Sequence, residues 1–218
     1  MLPAPERPEI DHRTIKLIVG IIALSLAGLT NFFASAALKS ISASYYEEGW
    51  SQSIFIGFLF AIAALLLAYN GLSRTEMILS KIAAATVLGV ALFPCECGDH
   101  PQLVPYLHGI SAAVTFLILA YFCYLFSRRA RAKGYPQAKA RATIYVLCGI
   151  AILLSIIVLG VDELSGGDLK AIVPNLVFYG EAVGLVSFGI SWLTASRVLP
   201  VITRQDERFS PLSEHNPE

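Results

Sequence analysis

Leu92–Phe126 reads LFPCECGDHPQLVPYLHGISAAVTFLILAYFCYLF, two cysteines, an aspartate and two histidines between Cys95 and His108, followed at once by an apolar run. That run, Tyr106 to Phe126, is long enough to cross the roughly 30 Å hydrocarbon core of a bilayer as a helix rising about 1.5 Å per residue. On both sides of it the same alternation continues, apolar runs separated by short charged segments. The spans are predicted at Leu17–Leu38, Ile54–Leu72, Met77–Phe93, Tyr106–Phe126, Thr143–Val161 and Pro174–Leu199. Residues 1–16 form a charged, proline-rich lead, 17–199 the membrane domain, and 200–218 a polar tail expected to be disordered. Ala34-Ser35-Ala36 resembles a signal-peptide cleavage site, but with five further spans behind it the first is expected to be retained as a helix.

Composition agrees with this reading. Of 218 residues 56% are hydrophobic and only 15% charged, and the mean hydropathy is +0.64, too few charges to cover a soluble globule. Sixteen basic and sixteen acidic residues cancel, so nucleic acid has no electrostatic footprint here. The expected class is therefore all-α, an integral membrane bundle of six transmembrane helices in the cell inner (plasma) membrane, with the lipid bilayer as its first partner. Lysines and arginines set the orientation. Fourteen lie in the lead, loops two and four and the tail region (Arg7, Arg13, Lys16, Arg74, Lys81, Arg128, Arg129, Arg131, Lys133, Lys139, Arg141, Arg197, Arg204, Arg208), against Lys39 and Lys170 in the other loops. That asymmetry places both termini in the cytoplasm. The six cations of loop four, residues 128–142, also suit contact with anionic lipid.

Costly side chains inside or near the spans are the candidates for function. Glu181 falls seven residues into the last span, where a carboxylate needs a partner or a wet cavity. His108 opens the fourth span, and Asn31 lies at a similar depth in the first. With Asp162 and Glu163 at the end of the fifth, Asn31, His108 and Glu181 are expected to line an outward-opening polar pocket. Glu181, His108 and Asp162 are the candidate catalytic groups. Cys95, Cys97, His100 and His108 offer a soft or borderline ligand set for zinc or copper, although the spacing between the cysteines is shorter than structural zinc sites favour, and a disulfide is the alternative. Interhelical hydrogen bonds that hold the bundle together are the plain structural reading of the pocket residues. Gly180-x-x-x-Gly184, with Ser187 and Ser191, gives the last span a small-residue packing face. Cys123 and Cys148 read as apolar packing residues.

Several chemistries are excluded by residue type. Only His108 lies close to a span, which leaves no bis-histidine haem; no lysine sits in the middle of a span for a retinal Schiff base; and no glycine-rich phosphate loop or GxSxG is present. Leu92-Phe93-Pro94, the loop after it, His108-Gly109 and the stretch SISASYYEEGW (Ser40–Trp50) together resemble small polytopic bacterial membrane proteins related to the Frag/DRAM/Sfk group. The resemblance covers the first four spans and implies a six-span bundle with an outward polar patch. Ceramidase and adiponectin-receptor type hydrolases rely on an HxxxH pair late in the chain, and the last span here contains no histidine. Three functional classes follow: a ligand- or lipid-binding or accessory membrane protein, a metal-assisted membrane hydrolase or transferase acting on lipid, and a small proton or cation channel or transporter.

Overall fold

A computed structural model of the chain describes residues 11–97 and 104–211. It is all-helical, with no strand among the described residues. The helices are α1 (His12–Phe33), α2 (Trp50–Ala68), α3 (Arg74–Leu92), α4 (Leu107–Ala132), α5 (Pro136–Leu164), the short α6 (Asp168–Ile172) and α7 (Leu176–Ser196). Six of them, all but α6, are long and apolar enough to cross a membrane, so the chain is a multi-pass membrane protein.

The boundaries differ from the apolar runs for local reasons. Asp11 caps α1 by accepting from Arg13 N at 2.9 Å, so the helix starts five residues early and carries Lys16 into the bundle. Ser73 accepts from Glu76 N at 3.3 Å and starts α3 at Arg74. Pro136 supplies the first turn of α5, and α4 continues to Ala132, so Arg128, Arg129, Arg131, Lys139 and Arg141 sit on helices and loop four shrinks to a tight turn. Polar residues extend helices here because the ends project beyond the apolar slab, where hydropathy carries no information.

Neighbouring spans close a ring in the order α1, α2, α3, α4, α5, α7 and back to α1. Small residues close it. A methyl on Gly20 would lie 2.9 Å from Leu193 N and 3.1 Å from Gly189 O, so α1 and α7 meet at backbone distance. The predicted small face of α7 is used on its other flank, where Gly180 faces Leu159 of α5 and Gly184 faces Phe116 of α4. Inside the ring Tyr69, Phe122, Phe188 and Trp192 are fully buried, with ring centroids 5.3–6.1 Å apart. This aromatic plug fills the half of the ring nearer the basic end, and buried polar groups lie beyond it at both ends. The segment from Pro200, expected to be disordered, instead forms two 3-10 turns (Pro200–Ile202 and Gln205–Glu207) and docks back on the bundle as far as Pro211, with Phe209 N donating to Arg197 O at 3.1 Å.

Candidate functional site

The polar end is built around Ser40–Tyr46, a loop whose 3-10 turn (Ser42–Tyr46) folds into the mouth of the ring. Ile41, Ser42 and Ser44 are buried, and Lys39 O accepts from Phe178 N at 3.0 Å, which lays the loop on the start of α7. Glu181, about 8 Å along α7 from its first residue at 1.5 Å per residue, takes its partners from this loop. Ser40 Oγ donates at 2.9–3.0 Å, Ile41 N at 2.5 Å, and Ser42 Oγ lies 3.1 Å from Oε1. Two donors and a further hydroxyl around one carboxyl group answer the cost of placing it in a span.

Ser42 also joins Glu181 to His108. The imidazole, buried at the second residue of α4, has Nε2 3.0 Å from Ser42 Oγ and Nδ1 2.8 Å from Phe93 O at the end of α3. The polar node therefore ties α3, α4, α7 and the Ser40–Tyr46 loop together through two side chains and one bridging hydroxyl. Tyr46 adds a further tie, its hydroxyl donating to Cys95 O at 2.9 Å. Close by, hydrogen bonds from Ser35 N (3.0 Å) and Ser35 Oγ (2.7 Å) hold Glu47 below the usual carboxylate range.

Of the five residues predicted to share a pocket, His108 and Glu181 are brought together. The other three make separate contacts. Asn31 is exposed and accepts from Leu38 N at 3.0 Å, which turns the chain after α1. Asp162 is buried and accepts from Lys170 N at 2.8 Å, fixing α6 against the end of α5, and Glu163 is exposed. The space between His108 and Glu181 is filled by the Ser40–Ser42 segment.

The metal set divides differently. Cys95 and Cys97 form a disulfide with Cα atoms 5.3 Å apart, and metal ligation needs a thiolate. His108 engages both ring nitrogens, and His100 lies outside the described residues. Among the described residues no three histidine, cysteine, aspartate or glutamate side chains gather as a zinc or copper ion would need. Cys123 and Cys148 are buried in the hydrophobic core, as expected of packing residues, with Ser191 beside Cys123.

Sequence reasoning missed the charge centres at the basic end. Glu76 is fully buried and ion-paired with Arg129; it also accepts from Leu72 N at 3.2 Å and lies 3.5 Å from Tyr69 Oη. The Ser73-x-x-Glu76 pattern is a capping box, the one signal that could have picked it out. Glu207 of the docked tail pairs with Lys133, Arg141 and Arg197 and accepts from Tyr135 Oη. Two cavities open at this end. One, about 220 Å³, is a groove between α4 and α5 with Val146, Gly149, Ile150 and Leu153 on its apolar wall and Tyr124, Arg128 and Arg131 at its mouth. The other, about 70 Å³, lies among Lys16, Arg129, Arg141 and Arg197.

No family model, curated protein or solved structure matches the chain.

Proposed function

We propose that the chain is a lipid-binding accessory membrane protein, and that an anionic lipid of the cytoplasmic leaflet seats between α4 and α5. The observation that carries this reading is the shape and chemistry of the 220 Å³ groove, which joins a strip of aliphatic wall to two arginines at the end of α4. An acyl chain lies along Val146, Ile150 and Leu153, and the headgroup meets Arg128 and Arg131. Arg128 is already positioned at the mouth, its guanidinium 5.7 Å from the ring centroid of Tyr124. In this reading the node at the other end keeps the ring closed and leaves the lipid face to act.

The test is retention of phosphatidylglycerol against phosphatidylcholine by the full-length protein in mixed micelles, followed by native mass spectrometry. Two arginines at about 1 kcal/mol each near a charged surface predict that Arg128→Gln with Arg131→Gln lowers the preference for the anionic lipid roughly tenfold or more. Ile150→Trp, which fills the groove and leaves both charges, lowers retention of either lipid. Retention unchanged in both variants overturns the reading.

A further inference from the structure

Lys16 is the least expected charge in the bundle. It lies one turn into α1 with only 9% of its surface exposed, its ammonium 5.3 Å from the Tyr69 ring centroid and 5.1 Å from that of Phe126. Among the described residues no carboxylate pairs with it, and it donates no hydrogen bond. A buried lysine is ordinarily paired, because removing an ammonium from water costs several kcal/mol that aromatic faces return only in part.

Its surroundings add positive charge. Lys16 from α1, Arg129 from α4, Arg141 from α5 and Arg197 at the end of α7 line one cavity of about 70 Å³, with Phe126 and Tyr145 among its walls. Two carboxylates face these groups. Glu76 is held by Arg129, and Glu207 is shared by Lys133, Arg141 and Arg197. Asp11, at the cap of α1, accepts from Arg13 N. The four lining cations and Lys133 against Glu76 and Glu207 leave three positive charges over, with Arg13 and Asp11 cancelling each other, and the lining cations come from α1, α4, α5 and the cap of α7, so the cavity sits where four spans of the closed ring meet. Guanidinium forks and an ammonium around a space of this size match a tetrahedral oxyanion.

We infer that this cavity binds a phosphate dianion, either free in the cytoplasm or as the monoester headgroup of a lipid. Tyr145 lines both this cavity and the α4/α5 groove, but the site uses none of Arg128, Arg131 or Ile150, so it stands or falls apart from the lipid reading above.

Equilibrium dialysis of the purified full chain in a neutral detergent, with radiolabelled inorganic phosphate at constant ionic strength in chloride, measures the first source. Nanodiscs containing phosphatidate or phosphatidylglycerol, a monoester against a diester, measure the second. Saturable binding of one phosphate per chain, or selective retention of phosphatidate, supports the site and identifies which source fills it. Lys16→Met weakens the binding roughly thirty-fold or more, the fold-change that loss of one buried charge contact gives, and Lys16→Arg restores most of it. Absence of both phosphate and selective phosphatidate binding in the wild-type protein overturns the proposal, as does binding by Lys16→Met at wild-type strength. Should Lys16→Met fail to fold, Arg197→Gln replaces it, with the same expectation and the same overturning result.

Discussion

Phe93 O can only accept a hydrogen bond, so the His108 nitrogen 2.8 Å away, Nδ1, carries a hydrogen. Ser42 Oγ has a single hydrogen and lies 3.0 Å from His108 Nε2 and 3.1 Å from Glu181 Oε1. For both contacts to be hydrogen bonds, His108 and Glu181 must hold one further hydrogen between them, on Nε2 or on the carboxyl, and Ser42 passes its own the other way. The node is thus a single connected unit, and removing one member leaves a partner unsatisfied. Glu181→Gln puts an amide N–H where Ile41 N or Ser40 Oγ now donates or beside Ser42 Oγ, and its expected cost is about 1–3 kcal/mol. Glu163→Gln, at an exposed carboxylate near the end of α5, stays within about 0.5 kcal/mol. Thermal denaturation of the two variants in detergent, side by side with the wild type, measures the difference, and equal midpoints would remove the node's structural role.

At the scale of elements, the docked tail is the piece most sensitive to conditions. The carboxylate of Glu207 is the common partner of Lys133 on the α4–α5 turn, Arg141 on α5 and Arg197 at the end of α7. Partial burial pushes this carboxyl up, but hydrogen bonds from Lys133, Tyr135 and Arg197 outweigh it and hold the group well below its ordinary value. A carboxyl depressed on docking favours the docked form above its free value near 4.5; that contribution is lost as pH falls below it toward the docked value. Amide hydrogen exchange over residues 205–211, corrected for intrinsic rates, should therefore show protection that is steady from pH 7 to about 5 and declines below about 4.5. Glu207→Gln should lose that protection at neutral pH and open Arg204 and Arg208 to trypsin. Persistence of protection in the variant would show that Phe209 and the 3-10 turns alone hold the tail.

For the molecule as a whole, six spans in one ring leave the start of α1 and the end of α7 on the same side, and the fourteen-to-two distribution of lysine and arginine predicts that this side is the cytoplasm. A cysteine at Glu48, exposed beside the polar end, should react with a membrane-impermeant maleimide added to intact cells. One at Lys139, exposed at the basic end, should react only after lysis. The native cysteines do not interfere, since Cys95 and Cys97 are joined and Cys123 and Cys148 are buried. The reverse labelling pattern would invert the bundle and place the α4/α5 groove and the Lys16 cavity on the outer side.

Apolar run length and charge distribution, both additive along the chain, determined the six spans, the all-helical class and the expected orientation without any knowledge of contacts. Glu181 and His108 were legible as costly side chains at similar depth, because the price of a polar group in hydrocarbon depends on position alone. What joins them was not legible: Ser42 is one serine among several in Ser40–Ser53, and its place between the two follows from a loop folding into the mouth of a closed ring. Asn31, Asp162 and Glu163 were grouped by depth and separated by direction, which a linear sequence does not carry. Lys16 and Glu76 were passed over because hydropathy assigns charges near a span end to water. Only the cap at Asp11, the docked tail and the ring order turned those ends inward, so that Lys16 lines a cavity and Glu76 is buried against Arg129 instead of meeting water.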